Sequence, residues 1–306
     1  MRNAAMKVLT DIAKQDEDIV LLTGDLGFGV LNEFRDNIPE RFFNAGICEQ
    51  NMTDVAVGLA LEEKKVFTYS IANFPIMRCY EQIRNDVAYH EANVNIISVG
   101  AGFGYGSLGM SHHATEDISA MRCIPNMVIF SPGDFLEAEA VMKAAIEHEG
   151  PCYIRLGKGK EKDIHEKICN FVVGKAVEVF SGNDICIIST GAIGYEARKA
   201  AETLRMRGYS VALYSFPTIK PLDKELIHDC AKQFDYIITV EENTVLGGFG
   251  SAVAEVMAQE KSKAILKIIG IEDCFSSIVG DQEYLRDYYG LSAEKIEKRV
   301  LNLINK

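Results

Sequence analysis

No two of the eight cysteines stand in a CxxC pair. Cys79, Cys123, Cys152 and Cys186 sit in apolar or sheet-like stretches. That pattern excludes a disulfide framework as the first expectation and favours a reduced, cytoplasmic chain. Long apolar runs are also missing: none approaches the ~20 residues that a membrane span requires, so no membrane partner is expected. The N-terminal residues 1–7 lack the apolar core of a signal peptide. Positive charge is in deficit, with 32 Lys and Arg against 44 Asp and Glu and a net charge of −12. Nonspecific nucleic-acid binding depends on basic surface and is therefore not expected. A locally positive pocket for an anionic substrate stays open, because a site can differ in sign from the whole. Short-period repeats and low-complexity tracts are absent.

What is present suits two globular units: 306 residues, 48% of them hydrophobic. A helix over 2–15 leads to a buried strand at 18–23. Further strands are expected at 41–44, 65–69, 94–99, 127–130 and 152–155. Between them lie helices after Glu49, from about 75 to 90, over 116–121 and over 135–147. Such alternation implies a mainly parallel sheet covered on both faces. A charged segment poor in large apolar residues follows and reads as a linker. The second alternating unit has strands at 184–189, 210–215, 236–240 and 264–269, with helices near 192–207, 223–233 and 250–259. The expected fold class is α/β with two domains, 1–157 and 176–306, joined by a linker at 158–175. Each domain holds a mainly parallel sheet flanked by helices.

The stretch Asn44-Ala45-Gly46-Ile47-Cys48-Glu49-Gln50 places a carboxylate at or near the start of a helix with small and apolar residues at three- and four-residue intervals. On residue chemistry alone, Glu49 is either an acid favoured by the helix dipole or a chemical group. Further stretches follow at Asn73-Phe74 through Tyr80-Glu81-Gln82, Gly109-Met110-Ser111-His112-His113, Cys123-Ile124-Pro125-Asn126-Met127 and Ser131-Pro132-Gly133-Asp134. Taken together and in this order, they resemble the pyrimidine-binding half of the transketolase family of thiamine diphosphate enzymes. The resemblance continues more weakly to about residue 255 and implies a pyrimidine domain followed by a transketolase-type C-terminal domain.

Several roles follow from that resemblance. Glu49 matches the glutamate that hydrogen-bonds the coenzyme's aminopyrimidine and activates it, a role that calls for a carboxyl in a dry, apolar setting. Phe74 and Tyr80 match aromatic positions that seat the ring, and Met77 stands where another aromatic is usual. Helix packing is the other reading for Tyr80. His112 aligns with a histidine that faces the reacting centre and can donate to a substrate oxygen; His113 has no such match. Asp25 matches an acidic residue near the coenzyme, although a strand-end Asp also serves as a turn cap. A substrate-phosphate arginine of the family corresponds to Lys158 or Arg155. Leu108 replaces a family Asp that meets substrate hydroxyls, and Gly100 replaces a phosphate-binding histidine, so weakened or rearranged recognition of an ordinary sugar phosphate is expected.

The family's Mg²⁺ site, a Gly-Asp-Gly stretch with a later Asn, is not matched by Gly24-Asp25-Leu26 and Asn51. The resemblance therefore implies a split enzyme: this chain supplies the pyrimidine half-site. A partner resembling the N-terminal half of a transketolase would hold Mg²⁺ and the diphosphate, in a heterotetramer of two chains each. The implied reaction moves a two-carbon ketol unit from a ketose to an aldehyde. Alternatives are a beta-type subunit of a 2-oxoacid decarboxylase or dehydrogenase, a pyruvate-using deoxyxylulose-phosphate synthase-like enzyme, and a noncatalytic scaffold. An NAD-linked oxidoreductase has little support, because the glycines at 100–106 lack the GxGxxG form. For the glycines at 247–250, close chain packing is expected.

Overall fold

The computed structural model describes residues 1–167, 171–259 and 261–305. In the first half, β-branched and aliphatic runs form six strands: β1 Ile19–Thr23, β2 Phe42–Asn44, β3 Lys65–Ile71, β4 Val94–Val99, β5 Val128–Phe130 and β6 Cys152–Leu156. The second half adds β7 Val177–Phe180, β8 Ile185–Ser189, β9 Val211–Ser215, β10 Thr218–Lys220, β11 Tyr236–Thr244 and β12 Ile265–Ile271. They build two sheets, ordered β10-β5-β6-β4-β3-β1-β2 and β12-β11-β8-β9-β7. Apart from β10 and β7, every strand pairing is parallel. The α/β fold with two mainly parallel sheets is thus as expected.

β10 belongs to the second half of the chain but pairs antiparallel with β5, Thr218 opposite Phe130 and Lys220 opposite Ile129. It covers an edge that β5 would otherwise leave with unpaired backbone groups. Hydrophobic packing also crosses between the sheets. Val66, Ile96 and Tyr153 of the first sheet share one core with Ile188, Phe216, Phe249 and Val253 of the second half. The other face of the first sheet packs on helices Arg2–Ala13 and Phe135–Glu147 through Leu9, Phe67, Val141 and Ile154. The outer face of the second sheet is covered by helices Gly194–Met206 and Ala293–Ile304.

Several details differ from the sequence reading. The single helix expected near 75–90 is instead a short helix Phe74–Met77, a turn at Arg78 and Cys79, a second turn Tyr80–Gln82 and a π-helical stretch Ile83–Ala88. Cys79 leaves helical geometry, at φ −112° and ψ 16°. β7, β10 and the helices Gln282–Tyr288 and Ala293–Ile304 are additions that the sequence pattern does not show. Within the expected linker 158–175, residues 168–170 lie outside the described residues. Its charged segment is pinned down: the amides of Ile164 and His165 both donate to Asp134 Oδ2, and His165 Nε2 lies 2.7 Å from Glu137 Oε1.

Candidate active site

Two segments, the start of the helix after Gly46 and the turn at Arg78, line one open depression of about 670 Å³. Gly46 turns the chain at φ +71°, which a residue with a Cβ rarely adopts, and Glu49 then opens the helix Glu49–Leu61. The Glu49 side chain lies on the floor of the depression and is only 5% exposed, while Ile47, Cys48, Gln50, Asn51, Asp54 and Arg78 line the rest. Arg78 Nη1 donates to Glu49 Oε1 at 2.9 Å. The same guanidinium lies over the Phe74 ring, 4.2 Å from its centroid. Four-residue spacing on a helical turn brings Phe74 and Arg78 together.

From Phe74 the contacts run on without a gap. The His112 ring meets Phe74 edge-on, centroids 5.2 Å apart. Gly109, at φ +80°, swings the chain into the short turn Met110–His112, and Ser111 Oγ lies 3.0 Å from His112 Nδ1. Tyr105 is tilted against His112 at 6.4 Å, and Lys158 Nζ sits 4.6 Å over the Tyr105 ring. A continuous row therefore links Glu49, Arg78, Phe74, His112, Tyr105 and Lys158.

The glycine at position 100 now has a physical reason. A Cβ there would lie 2.1 Å from Tyr105 Cδ2, so the bare backbone makes room for the tyrosine ring. Arg78 and Tyr105 were both missed in the sequence. The signal for Arg78 was its spacing from Phe74; Tyr105 had none beyond being a large ring among glycines.

The remaining expected residues lie elsewhere or do something else. Arg155 must be corrected as a substrate-phosphate ligand. It is 2% exposed, its Nε donates to Asp117 Oδ2 at 2.6 Å, and Nη2 donates to the carbonyls of Ala114 and Glu242 at 2.7 and 3.0 Å. A guanidinium so buried and so committed is closed to a ligand, which leaves exposed Lys158 as the nearby cation. The Tyr80 hydroxyl donates to the Ala120 carbonyl at 2.8 Å and its ring packs against the central core, in accord with the helix-packing reading. Burial raises its phenol to about 12.

Met77 is exposed at the end of the short helix that Phe74 opens. Asp25 sits in the left-handed region at φ +58° and is clasped by Asn44: its amide donates to Asn44 Oδ1, and Asn44 Nδ2 donates to Asp25 Oδ1. That exchange fits the turn-cap reading. His113 is buried, lies 3.3 Å by Nε2 from the Gly106 carbonyl and stacks edge-on against Phe103; burial lowers its pKa, so it is a neutral packing group. At 247–250, the amides of Phe249 and Gly250 are both taken by Glu241, and a Cβ at Gly248 would meet Glu241 Oε2 at 2.2 Å, so close packing is what the glycines serve.

The residues fit a flat, hydrogen-bonding heterocycle. A buried carboxylate and an aromatic face already hold one planar group, the Arg78 guanidinium, by one hydrogen bond and one stacking contact. Among the described residues, no cluster of three or more His, Cys, Asp or Glu is arranged to hold a metal ion.

The sequence profile of the transketolase pyrimidine-binding domain matches residues 1–162, and that of the transketolase C-terminal domain matches residues 174–296. The chain belongs to the transketolase family. It is 35% identical to one subunit of the apulose-4-phosphate transketolase of Phocaeicola vulgatus, over 100% of this chain and 97% of that protein. It is 36% identical to the 1-deoxy-D-xylulose-5-phosphate synthase of Aquifex aeolicus, but there it spans 47% of the longer protein. The solved structure of a split gene transketolase, an inactive beta4 tetramer, matches with a TM-score of 0.88 at 35% identity and covers 98% of this chain and 96% of that one. The transketolase-family fold thus accounts for both sheets.

Proposed function

We propose that this chain is the pyrimidine-side subunit of a split, thiamine diphosphate-dependent transketolase that moves a two-carbon ketol unit from a ketose donor to an aldehyde. The observation that carries this reading is the buried Glu49 carboxylate facing an open depression beside the Phe74 ring. Likeness along nearly the whole length of a separate transketolase subunit supports the split arrangement over a fused synthase. The domains of this reading are 1–157 and 176–306, with β10 reaching back from the second.

When bound, the coenzyme supplies the carbanion equivalent that breaking and remaking a carbon–carbon bond beside a carbonyl requires. Glu49 holds a proton against a nitrogen of the aminopyrimidine, and its burial keeps water from competing for that proton. Phe74 would offer the ring an aromatic face, and exposed Met77 would add an apolar contact from the same short helix. His112, steadied by the Ser111 hydroxyl and the Phe74 edge, donates to the substrate oxygen on which charge develops. Lys158, over Tyr105, supplies positive charge at the outer end of the site for an anionic substrate. Asp25, held by Asn44, lies two residues past the end of β1 and shapes the turn near Gly46, whose amide also donates to Asn44.

Four apolar side chains border these residues and face solvent: Ile47 at 74%, Leu108 at 53%, Met110 at 52% and Met77 at 44% exposure. A second subunit carrying the Mg²⁺ and diphosphate site would cover them and complete the centre. The heterotetramer of two chains each and the cytoplasmic setting belong to the same reading. The test is reconstitution with a partner resembling the N-terminal half of a transketolase. Glu49→Ala should still associate with the partner but lose turnover by about 10²–10⁴-fold. Unchanged turnover refutes the catalytic role, and full turnover by the purified chain alone refutes the split arrangement.

A further inference from the structure

The two contacts that define a seat for a flat heterocycle are a hydrogen bond to Glu49 and a stacking face on Phe74. In this structure one side chain makes both. Arg78 Nη1 donates to Glu49 Oε1 at 2.9 Å, and its Cζ stands 4.2 Å from the Phe74 centroid. A guanidinium is planar and delocalised, and carries its donors in the plane while presenting a face to an aromatic ring. It therefore matches an aminopyrimidine in shape and engages the same two groups, although it donates to Glu49 where a ring nitrogen would accept from it. Two planar groups cannot stack on the same ring face at once, and the guanidinium on Phe74 also holds Glu49 as its ion-pair partner.

We propose that Arg78 is a latch: in the partnerless chain it occupies the ring seat of the coenzyme, and loading requires it to swing out. The inference rests on the functional reading above and goes beyond it by naming the group that competes for the seat. The local structure suits a latch. Arg78 follows the short helix Phe74–Met77 and precedes Cys79, the point at which the backbone leaves helical geometry. Its side chain is 49% exposed, whereas Glu49 is 5% exposed. The arginine can thus rotate into water without moving a packed neighbour, while the glutamate stays fixed. Cys79 is buried and donates from its thiol to the Phe74 carbonyl at 3.7 Å, so the turn that carries Arg78 is anchored. Closing the seat also gives the buried carboxylate a counter-charge when nothing else is bound, which lowers the cost of holding an empty charged site.

A latch and a ligand predict opposite signs on removal. Isothermal titration calorimetry is run with 4-amino-5-hydroxymethyl-2-methylpyrimidine on the full chain, and with thiamine diphosphate plus Mg²⁺ on the chain assembled with its partner. Arg78→Ala is expected to bind either probe at least about tenfold more tightly than the wild type. High salt, which screens the half-exposed ion pair, should tighten binding to the wild type but not to Arg78→Ala. Adding Glu49→Gln to Arg78→Ala should erase the gain, because the freed carboxylate is its source. Circular dichroism confirms that each variant is folded. Equal or weaker binding by Arg78→Ala, with the wild-type complex still binding the coenzyme, overturns the latch alone. Failure of every variant, in the chain and in the complex, to bind either probe overturns the seat and the latch together.

Discussion

At the level of single side chains, position in the chain and position in space separate sharply. Arg155 and Lys158 are three residues apart, yet Arg155 is sealed between Asp117, Ala114 and Glu242 while Lys158 projects over Tyr105. Removing one partner from a buried pair strands the other charge, so Arg155→Met should lower stability by about 3–5 kcal/mol in urea unfolding. Loss of less than about 1 kcal/mol would show that Asp117 finds another partner. His112 has the opposite character: it touches Phe74, Tyr105 and Ser111 at a partly exposed rim. His112→Ala should leave the melting temperature nearly unchanged and reduce kcat of the reconstituted enzyme by about 10²-fold, as seen in steady-state kinetics. Glu49, Phe74 and His112 could be singled out in the sequence because ordered motifs carry them, and the structure places all three in one row of contacts. Arg155 was not resolved from Lys158, since nothing in a linear motif says which of two nearby cations the sheet will bury.

Among the elements, β11 joins the most functions. The expected strand covers 236–240, ahead of two glutamates and an asparagine. It continues to Thr244 with Glu241, Glu242 and Asn243 all buried. Glu241 accepts from the amides of Phe249 and Gly250 at the start of helix Phe249–Met257, and Glu242 pairs with Arg286 Nη2 at 2.6 Å. Burial raises the Glu241 carboxyl from the ordinary 4.5 to about 7, against the lowering effect of those two amides. The folded chain therefore holds this proton more tightly than the unfolded chain. Its contribution to stability is fully present below about pH 4.5 and is lost as pH rises through about 7. Between pH 5 and 8 the stability of the wild type relative to Glu241→Gln should fall by about 2–3 kcal/mol, measured by urea unfolding at each pH. A flat difference would show that the helix-end amides keep the carboxylate charged throughout.

For the whole molecule, the two sheets are not independent. β10 closes the first sheet from the second half of the chain, and one core contains Val66 and Ile96 together with Phe216 and Phe249. Thermal unfolding followed by calorimetry and by far-ultraviolet circular dichroism should accordingly give one coincident transition. A fragment of residues 1–157 should bind a hydrophobic dye and lack a cooperative transition, because it exposes both the β5 edge and half of that core. A fragment that melts cooperatively near the temperature of the full chain would contradict this.

What the sequence determined by itself was the alternation of apolar strands with amphipathic helices, and hence the parallel sheets, along with the ordered motifs that place the chain in its family. Both are local or fixed by spacing, so they can be read along the chain. Tertiary structure alone decided that β10 would cross to the first sheet, that β11 would run on through buried glutamates, and that helices Gln282–Tyr288 and Ala293–Ile304 would cover the second sheet. It alone brought Arg78 onto Glu49 and Tyr105 against Gly100. In each case the deciding partner is remote in sequence or lies across a turn. A buried charge or a bare glycine is explained only by the group that the fold places beside it.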